Sequence, residues 1–288
     1  MAQDAATLRQ NGHMAVVLGY CVNTNRSVCK MWAFFRQERF DGRRLGCLPT
    51  ERYELTGGSR VMPTRANRSP APRSRGQRVR APEATRERLV AAAFEEIHRH
   101  GYQGAGLDTI LANAGVTKGA LYHHFADKAD LAHAVIDEVI RGLTLTRWTG
   151  PLASYTGDPI SGIQKVLKVV ADEFCDERLV DKVELGCPLN NLAQEMSPLD
   201  ERFRRRVAVV FETWIESFAQ ALERGRMEGS VRRDVDARKV ATFVVASVEG
   251  SFGLAKNAKS APLLRENLEV LTDFLDALRA MPARRRRR

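Results

Sequence analysis

The segment Thr85–Asp137, TRERLVAAAFEEIHRHGYQGAGLDTILANAGVTKGALYHHFADKADLAHAVID, decides the fold class. Leu89, Val90, Ala93, Phe94 and Ile97 recur at the spacing of one helix face. Pro82-Glu83 ahead of them suit a helix start, because proline in a first turn sacrifices no hydrogen bond and glutamate favours the positive end. Gly101 stops this first helix. Asp108 is placed to cap a short second helix carrying Ile110, Leu111 and Ala114. Gly115 and Val116 make a tight turn, and Thr117 is placed to cap a third helix bearing Leu121, Tyr122 and Phe125. Asp127 caps a fourth, running to about Arg147, with Leu131, Val135 and Val139 on its apolar side. Three helices within residues 81–127, with a glycine turn before the third, spell a helix-turn-helix. Ala112 is small where the two helices of the motif are expected to pack closely, Gly115 permits a left-handed backbone, and Val116 and Leu121 fill the space between. Such a motif presents the first residues of its third helix to a DNA major groove.

The pattern Gly115-Val116-x-x-Gly119-x-Leu121-Tyr122-x-His124-Phe125, followed by Lys128 and Leu131, resembles the tetracycline-repressor-like (TetR/AcrR) transcriptional regulators. The resemblance runs from Thr85 to Asp137; the later helices fit the family loosely, as its variable ligand-binding domain implies, and residues 1–80 have no counterpart. It implies that Thr117, Lys118 and Gly119 open a recognition helix. Lys118 can reach guanine O6 and N7, Thr117 suits a phosphate or a thymine methyl, and Gly119 lets backbone approach the duplex. Tyr122 and His123 resemble the family's backbone- and base-contacting aromatics. Lys128 is placed for a phosphate near a helix N-terminus. Leu121 and Phe125 are core residues, and His124 is packed or solvated rather than a contact. Gly106 departs from the Ser or Thr that many members carry there, which removes one phosphate contact.

Beyond Gly150 the pattern stays helical, with helices expected at about 158–178, 188–196, 199–228, 236–257 and 262–280 and Gly or Pro mostly between them. No strand alternation, internal repeat or coiled-coil heptad run is present. The expected fold is all-α: a three-helix DNA-binding domain over 81–127, then a helical regulatory and dimerisation domain over 128–281. One apolar stripe, Val240, Phe243, Val244, Ser247, Val248, Ser251 and Phe252, has Gly250 and Gly253 beside it. Leu264, Leu268, Leu271, Leu275 and Leu278 make another. Either both pair across a twofold axis as a four-helix bundle, the arrangement the family resemblance implies, or both face the monomer's own core. Phe174, Cys187, Leu192, Met196, Phe211, Trp214 and Phe218 are candidate lining for a small-molecule effector pocket, with core packing the competing role. Cys187 precedes Pro188 and so falls at a helix N-cap, where the positive helix end favours a thiolate. Lys182 could assist and Cys175 could act as a resolving partner. The motif looks like the Gly-Cys helix start of some family members that sense electrophiles or oxidants. A buried cap without reactivity is the other reading.

The charge distribution agrees with a nucleic-acid partner but does not by itself require one. The chain of 288 residues has a net charge of +10, yet residues 1–78 alone hold 14 Lys/Arg against five Asp/Glu, and Arg284–Arg288 add five more. Residues 1–80 read as a disordered basic extension and 282–288 as a basic tail. Met62 is a second candidate start, which would make 1–61 dispensable; a basic arm adding phosphate contacts is the alternative. Met14–Cys21 lacks the flanks of a signal peptide, and no apolar run approaches the ~20 residues of a membrane span. Five scattered cysteines match neither a disulfide framework nor a zinc site, which points to a reducing cytoplasm. No His-Glu-x-x-His, dinucleotide loop or Gly-x-Ser-x-Gly elbow is present, so neither an enzyme nor a cofactor or metal is expected. The expected function is a ligand-responsive regulator, most simply a repressor that binds a palindromic operator as a homodimer and leaves it on meeting a small molecule or electrophile. The alternative is a basic-tailed architectural DNA-binding protein without small-molecule control.

Overall fold

A computed structural model describes residues 75–175 and 181–280. Ten helices follow in order: α1 (Arg75–Gly104), α2 (Leu107–Ala114), α3 (Lys118–His124), α4 (128–153), α5 (Pro159–Phe174), α6 (Asp181–Leu185), α7 (Pro188–Met196), α8 (Glu201–Glu228), α9 (Ala237–Ala258) and α10 (Ala261–Asp276). The fold is all-α; among the described residues the β structure is an isolated bridge between Val231 and Arg279. The expectations for 1–61, Met62 and the Arg284–Arg288 tail, and for the Lys182 side chain, lie outside the described residues.

Several boundaries differ from those expected. α1 begins at Arg75, with Pro82 inside it, rather than at Pro82. At Gly101, with φ of 73°, the helix kinks and then runs one further turn to Gly104. Asp108 does not cap α2; Gly106 holds that position without a side-chain bond, and Asp108 sits in the first turn, where it still faces the positive helix end. α4 continues to Ala153 through two π-helical stretches, Val135–Ile140 and Leu145–Thr149. The hydroxyls of Thr144 and Thr149 donate back to the carbonyls of Ile140 and Leu145, four residues earlier. α5 and α10 end at Phe174 and Asp276, earlier than their apolar patterns suggest, and α6 is a short helix within the connection before Cys187. Ala112 is exposed; the residue of α2 that packs inward beside Ile110 and Leu111 is Ala114.

The apolar residues form two cores. One joins α1–α4, from Leu89 to Ile140, to Leu189, Leu192 and Met196 of α7 and to Phe203, Val207 and Val210 of α8. The other gathers Trp148, Leu152, α5, the second half of α8, α9 and α10. The leucine stripe of α10 faces this second core, with Leu264, Leu268, Leu271 and Leu275 buried, as is Leu278 just beyond the helix. Val244, Val248, Ser251 and Phe252 are buried as well. The expectation that both stripes pair with a second subunit is corrected for the α10 leucines, which fill the monomer's own interior, while the α9 stripe divides, with Phe243, Gly250 and Gly253 left exposed. Phe243 (52% exposed), Gly250 and Leu254 of α9 and Val270 of α10 lie on the outer face, with Phe274 packed edge-on to Phe243 at 5.1 Å.

Candidate DNA-binding surface and effector site

The turn into α3 is built by local chemistry. Gly115 adopts φ of 62°, its N–H bonding back to Ala112 O at 3.1 Å, and Val116 N–H follows to Leu111 O at 3.1 Å. Thr117 is extended, and its hydroxyl oxygen accepts from Ala120 N–H at 3.3 Å, closing the first turn of α3. Leu121 is fully buried and Phe125 nearly so, which fixes how α3 is rolled about its axis. Thr117, Lys118, Gly119, Tyr122 and His123 are then all exposed, and Tyr122 shows half of its surface. The exposed face thus carries a hydroxyl, an ammonium, a phenol and an imidazole, groups that can donate to phosphate oxygens and exchange hydrogen bonds with base edges.

Lys128, unlike these five, is half-buried. Its ammonium lies 4.8 Å from the centre of the Tyr102 ring and 3.5 Å from Gln103 O, and burial lowers its pKa. The first turn of α4 around it is capped by Asp127, whose carboxylate accepts from Asp130 N–H at 2.7 Å. At Gly106, where a hydroxyl is expected in relatives, Glu96 reaches across from α1 and accepts the backbone N–H at 3.1 Å. Two ion pairs hold α4 from either side: Arg86 of α1 with Glu138, the Nη1 bond being 2.8 Å, and Arg206 of α8 with Asp137.

The seven candidate pocket residues divide between the two cores. Phe174, Trp214 and Phe218 belong to the second core, where Trp148 and Trp214 stack at 4.4 Å. Leu192 and Met196 belong to the first, and Phe211 and Cys187 touch both. A cleft of about 490 Å³ opens instead where α1 and α4 face α7 and Lys256 of α9; of the seven, Leu192 alone lines it. Sequence reasoning missed its other walls, including His98, Arg99, Asn191 and Glu195. The carboxylate of Glu195 accepts the N–H groups of Tyr102 and Gln103, each at 2.8 Å, capping the turn that follows the Gly101 kink. A Cβ at Gly101 would lie 2.8 Å from one of its oxygens, so both the positive φ and this approach require glycine. No local signal announces a bond between residues 93 positions apart.

Cys187 does occupy the N-cap of α7, ahead of Pro188. Its thiol is not the acidified group that position suggests. Sγ donates to Glu249 Oε1 at 3.1 Å, and burial together with that carboxylate raises its pKa well above the usual value. The N–H groups of Asn190 and Leu189 pull the other way and lose. Glu249 is 6% exposed, its Oε2 has no partner, and burial lifts its pKa to about 7. In the neighbouring residue, Gly186 O bonds to His98 Nε2 at 3.0 Å. His98 is held neutral, with a pKa of about 4, chiefly by burial. Among the described residues no helix is long and apolar enough to cross a membrane.

Residues 89–135 match the family described as bacterial regulatory proteins, tetR family, and residues 159–269 match the C-terminal domain of LmrA/YxaF-like transcriptional regulators. The chain is 30% identical over 183 residues to the HTH-type transcriptional regulator LmrA of Bacillus subtilis, covering 62% of this chain and 91% of the relative. It is 27% identical over 190 residues to the HTH-type transcriptional repressor DhaR of Mycobacterium sp. strain GP1, covering 66% and 91%. The crystal structure of a TetR transcriptional regulator from Chloroflexus aurantiacus superposes with a TM-score of 0.63 at 29% identity, covering 70% of this chain and all of that one.

Proposed function

The chain belongs to the TetR family of bacterial transcriptional regulators, and from that premise we propose that it is a cytoplasmic homodimeric repressor, released from a pseudo-palindromic operator by a small molecule. The observation that carries this reading is the exposed face of α3, with Thr117, Lys118, Gly119, Tyr122 and His123 outward and Leu121 and Phe125 anchoring it. Thr117 and Lys118 meet the major groove, Gly119 admits the backbone, Tyr122 and His123 complete the contact, and Lys128 serves a flanking phosphate. Residues 81–127 form the DNA-binding unit and 128–281 the regulatory and dimerising one. One such helix reads few base pairs, so two half-sites are needed, spaced by about one helical turn. The exposed apolar face of α9 and α10, with Phe243, Gly250, Leu254, Val270 and Phe274, supplies a self-complementary surface for the second copy. The thiol of Cys187, half-buried, hydrogen-bonded to Glu249 and with its pKa raised, favours a non-covalent effector over an electrophile.

Selection from randomised duplex DNA, with sedimentation of the complex, tests this. A twofold-symmetric site bound by a dimer is expected, and Lys118→Met should lose about tenfold in affinity for it, the scale of a lost base contact, with the melting temperature unchanged. Binding without sequence preference would favour the architectural alternative.

A further inference from the structure

We propose that the cleft between α1 and α7 binds a small amphipathic carboxylate and is the place where the effector acts, an inference that rests on the regulatory role proposed above. The floor is hydrocarbon: Phe94, Ile97, Val135, Ile140, Pro188 and Leu192. Its volume of about 490 Å³ lies within the ~300–1,000 Å³ usual for small-molecule sites. The rim is cationic. Lys256 Nζ meets a neutral partner, Asn191 Oδ1 at 3.2 Å, and makes no ion pair among the described residues. Arg99 is only loosely held, 3.9 Å from Glu95. The single carboxylate of the lining, Glu195, has both oxygens engaged by backbone N–H groups and offers little to an organic cation.

The imidazole of His98, in the wall of the cleft, registers the resulting field. Beyond burial, and against the Gly186 carbonyl, which favours the protonated ring, Lys256 and Arg99 of the lining act to keep it unprotonated, as does Arg147 outside it. An organic cation would meet that same repulsion, and a purely apolar ligand would leave the rim ammonium and guanidinium without counterions. A carboxylate with a short hydrocarbon tail satisfies floor and rim together. The cleft is also positioned to transmit its occupancy. One wall is α1, which packs directly on α2 and α3; the other is α7, and the two are joined by the His98–Gly186 bond and the Glu195 cap. A ligand that prefers one spacing of these walls biases the separation of the recognition helices by its differential affinity.

Calorimetric titration of the full chain, without DNA, with hexanoate, hexan-1-ol and hexylammonium provides the test. Hexanoate should bind at least about tenfold more tightly than either analogue, the scale of one charge-assisted hydrogen bond. Lys256→Met should weaken it about tenfold by the same reasoning, and Gln194→Trp, at an exposed position on the cleft lining, should block it. Saturating hexanoate should then raise the operator Kd measured by anisotropy. Equal binding of the alcohol, indifference to both substitutions, or an operator Kd unmoved by bound hexanoate would each overturn the proposal. If no operator emerges from DNA selection, the regulatory reading fails, and the titration without DNA still decides whether the cleft takes carboxylates.

Discussion

The two cores differ in how they are built. The DNA-binding core starts from helices too short to enclose anything alone: α2 has eight residues and α3 seven. It is completed by α7 and by Phe203, Val207 and Val210 at the start of α8, where the Phe203 ring lies 4.8 Å from Tyr102 and 4.7 Å from His133. The second core is assembled from three long amphipathic helices and the second half of α8, and takes nothing from α1–α3. Order in the DNA-binding part therefore depends on the rest of the chain, whereas the reverse dependence is weak. A recognition helix held in this way has a defined position for an effector to shift.

The largest expected effect would break this asymmetry. Phe203→Ala removes a fully buried aromatic and should cost roughly 3–5 kcal/mol. Hydrogen exchange should accelerate over residues 89–140 and stay slow in α5, α9 and α10. Trp214→Ala, similarly buried, should accelerate exchange in both cores; equal loss of protection in both from Phe203→Ala would refute the dependence drawn above.

A second comparison sets His98 on the DNA-binding side against Glu249 on the other. His98 has a folded pKa of about 4, below its ordinary 6.5, so the unfolded chain takes up a proton that the folded one refuses, and stability falls as pH drops from 6.5 to 4. Glu249 has a folded pKa of about 7, above its ordinary 4.5, so the unfolded chain releases its proton first, and stability falls as pH rises from 4.5 to 7. Each slope is worth on the order of 3 kcal/mol, and between about pH 4.5 and 6.5 they offset one another. In denaturant titrations between about pH 4.5 and 6.5 these two contributions should therefore largely cancel. Glu249→Gln should leave a profile that climbs toward neutral pH, and His98→Gln one that descends.

A smaller effect sharpens the contact between the two parts. Glu195→Gln leaves one amide N–H group facing the backbone donors of Tyr102 and Gln103, and should cost roughly 1.5–3 kcal/mol, read as faster exchange of those two amides. Smallest is Thr117→Ala, the loss of an N-cap worth ~1 kcal/mol, visible as a lower melting temperature.

What could be read in the sequence follows the range of the forces involved. The all-α fold, the Gly115 turn, the Thr117 and Asp127 caps and the roll of α3 rest on contacts between residues a few positions apart, and the local pattern states them. At Ala112, which faces solvent, smallness alone does not say which side of a helix faces its neighbour. The α10 leucines show the same limit: periodicity shows that a face is apolar, without saying whether its partner is the same chain or another. Trp214 and Phe218 were legible as apolar, yet dense packing and a ligand cavity draw on the same residue types. The place of Cys187 at a helix start leaves a reactive thiol and an inert cap both open, and the partner that bears on its protonation, Glu249, stands 62 residues later. The walls of the cleft, from His98 to Glu195 and Lys256, come from three helices and leave no trace in any one stretch.

The borrowed aromatic at Phe203 bears on how such proteins can be recombined. A chimera that moves residues 81–127 onto another regulatory domain transfers the base-reading side chains but leaves behind the surfaces of α7 and α8 against which they are set. The transplantable module is discontinuous in sequence: it includes Leu189, Leu192, Met196, Phe203, Val207 and Val210, about 65 to 86 positions downstream of the recognition helix. Altering specificity by exchanging side chains on α3 alone keeps that module whole, and is the shorter engineering path to a new operator.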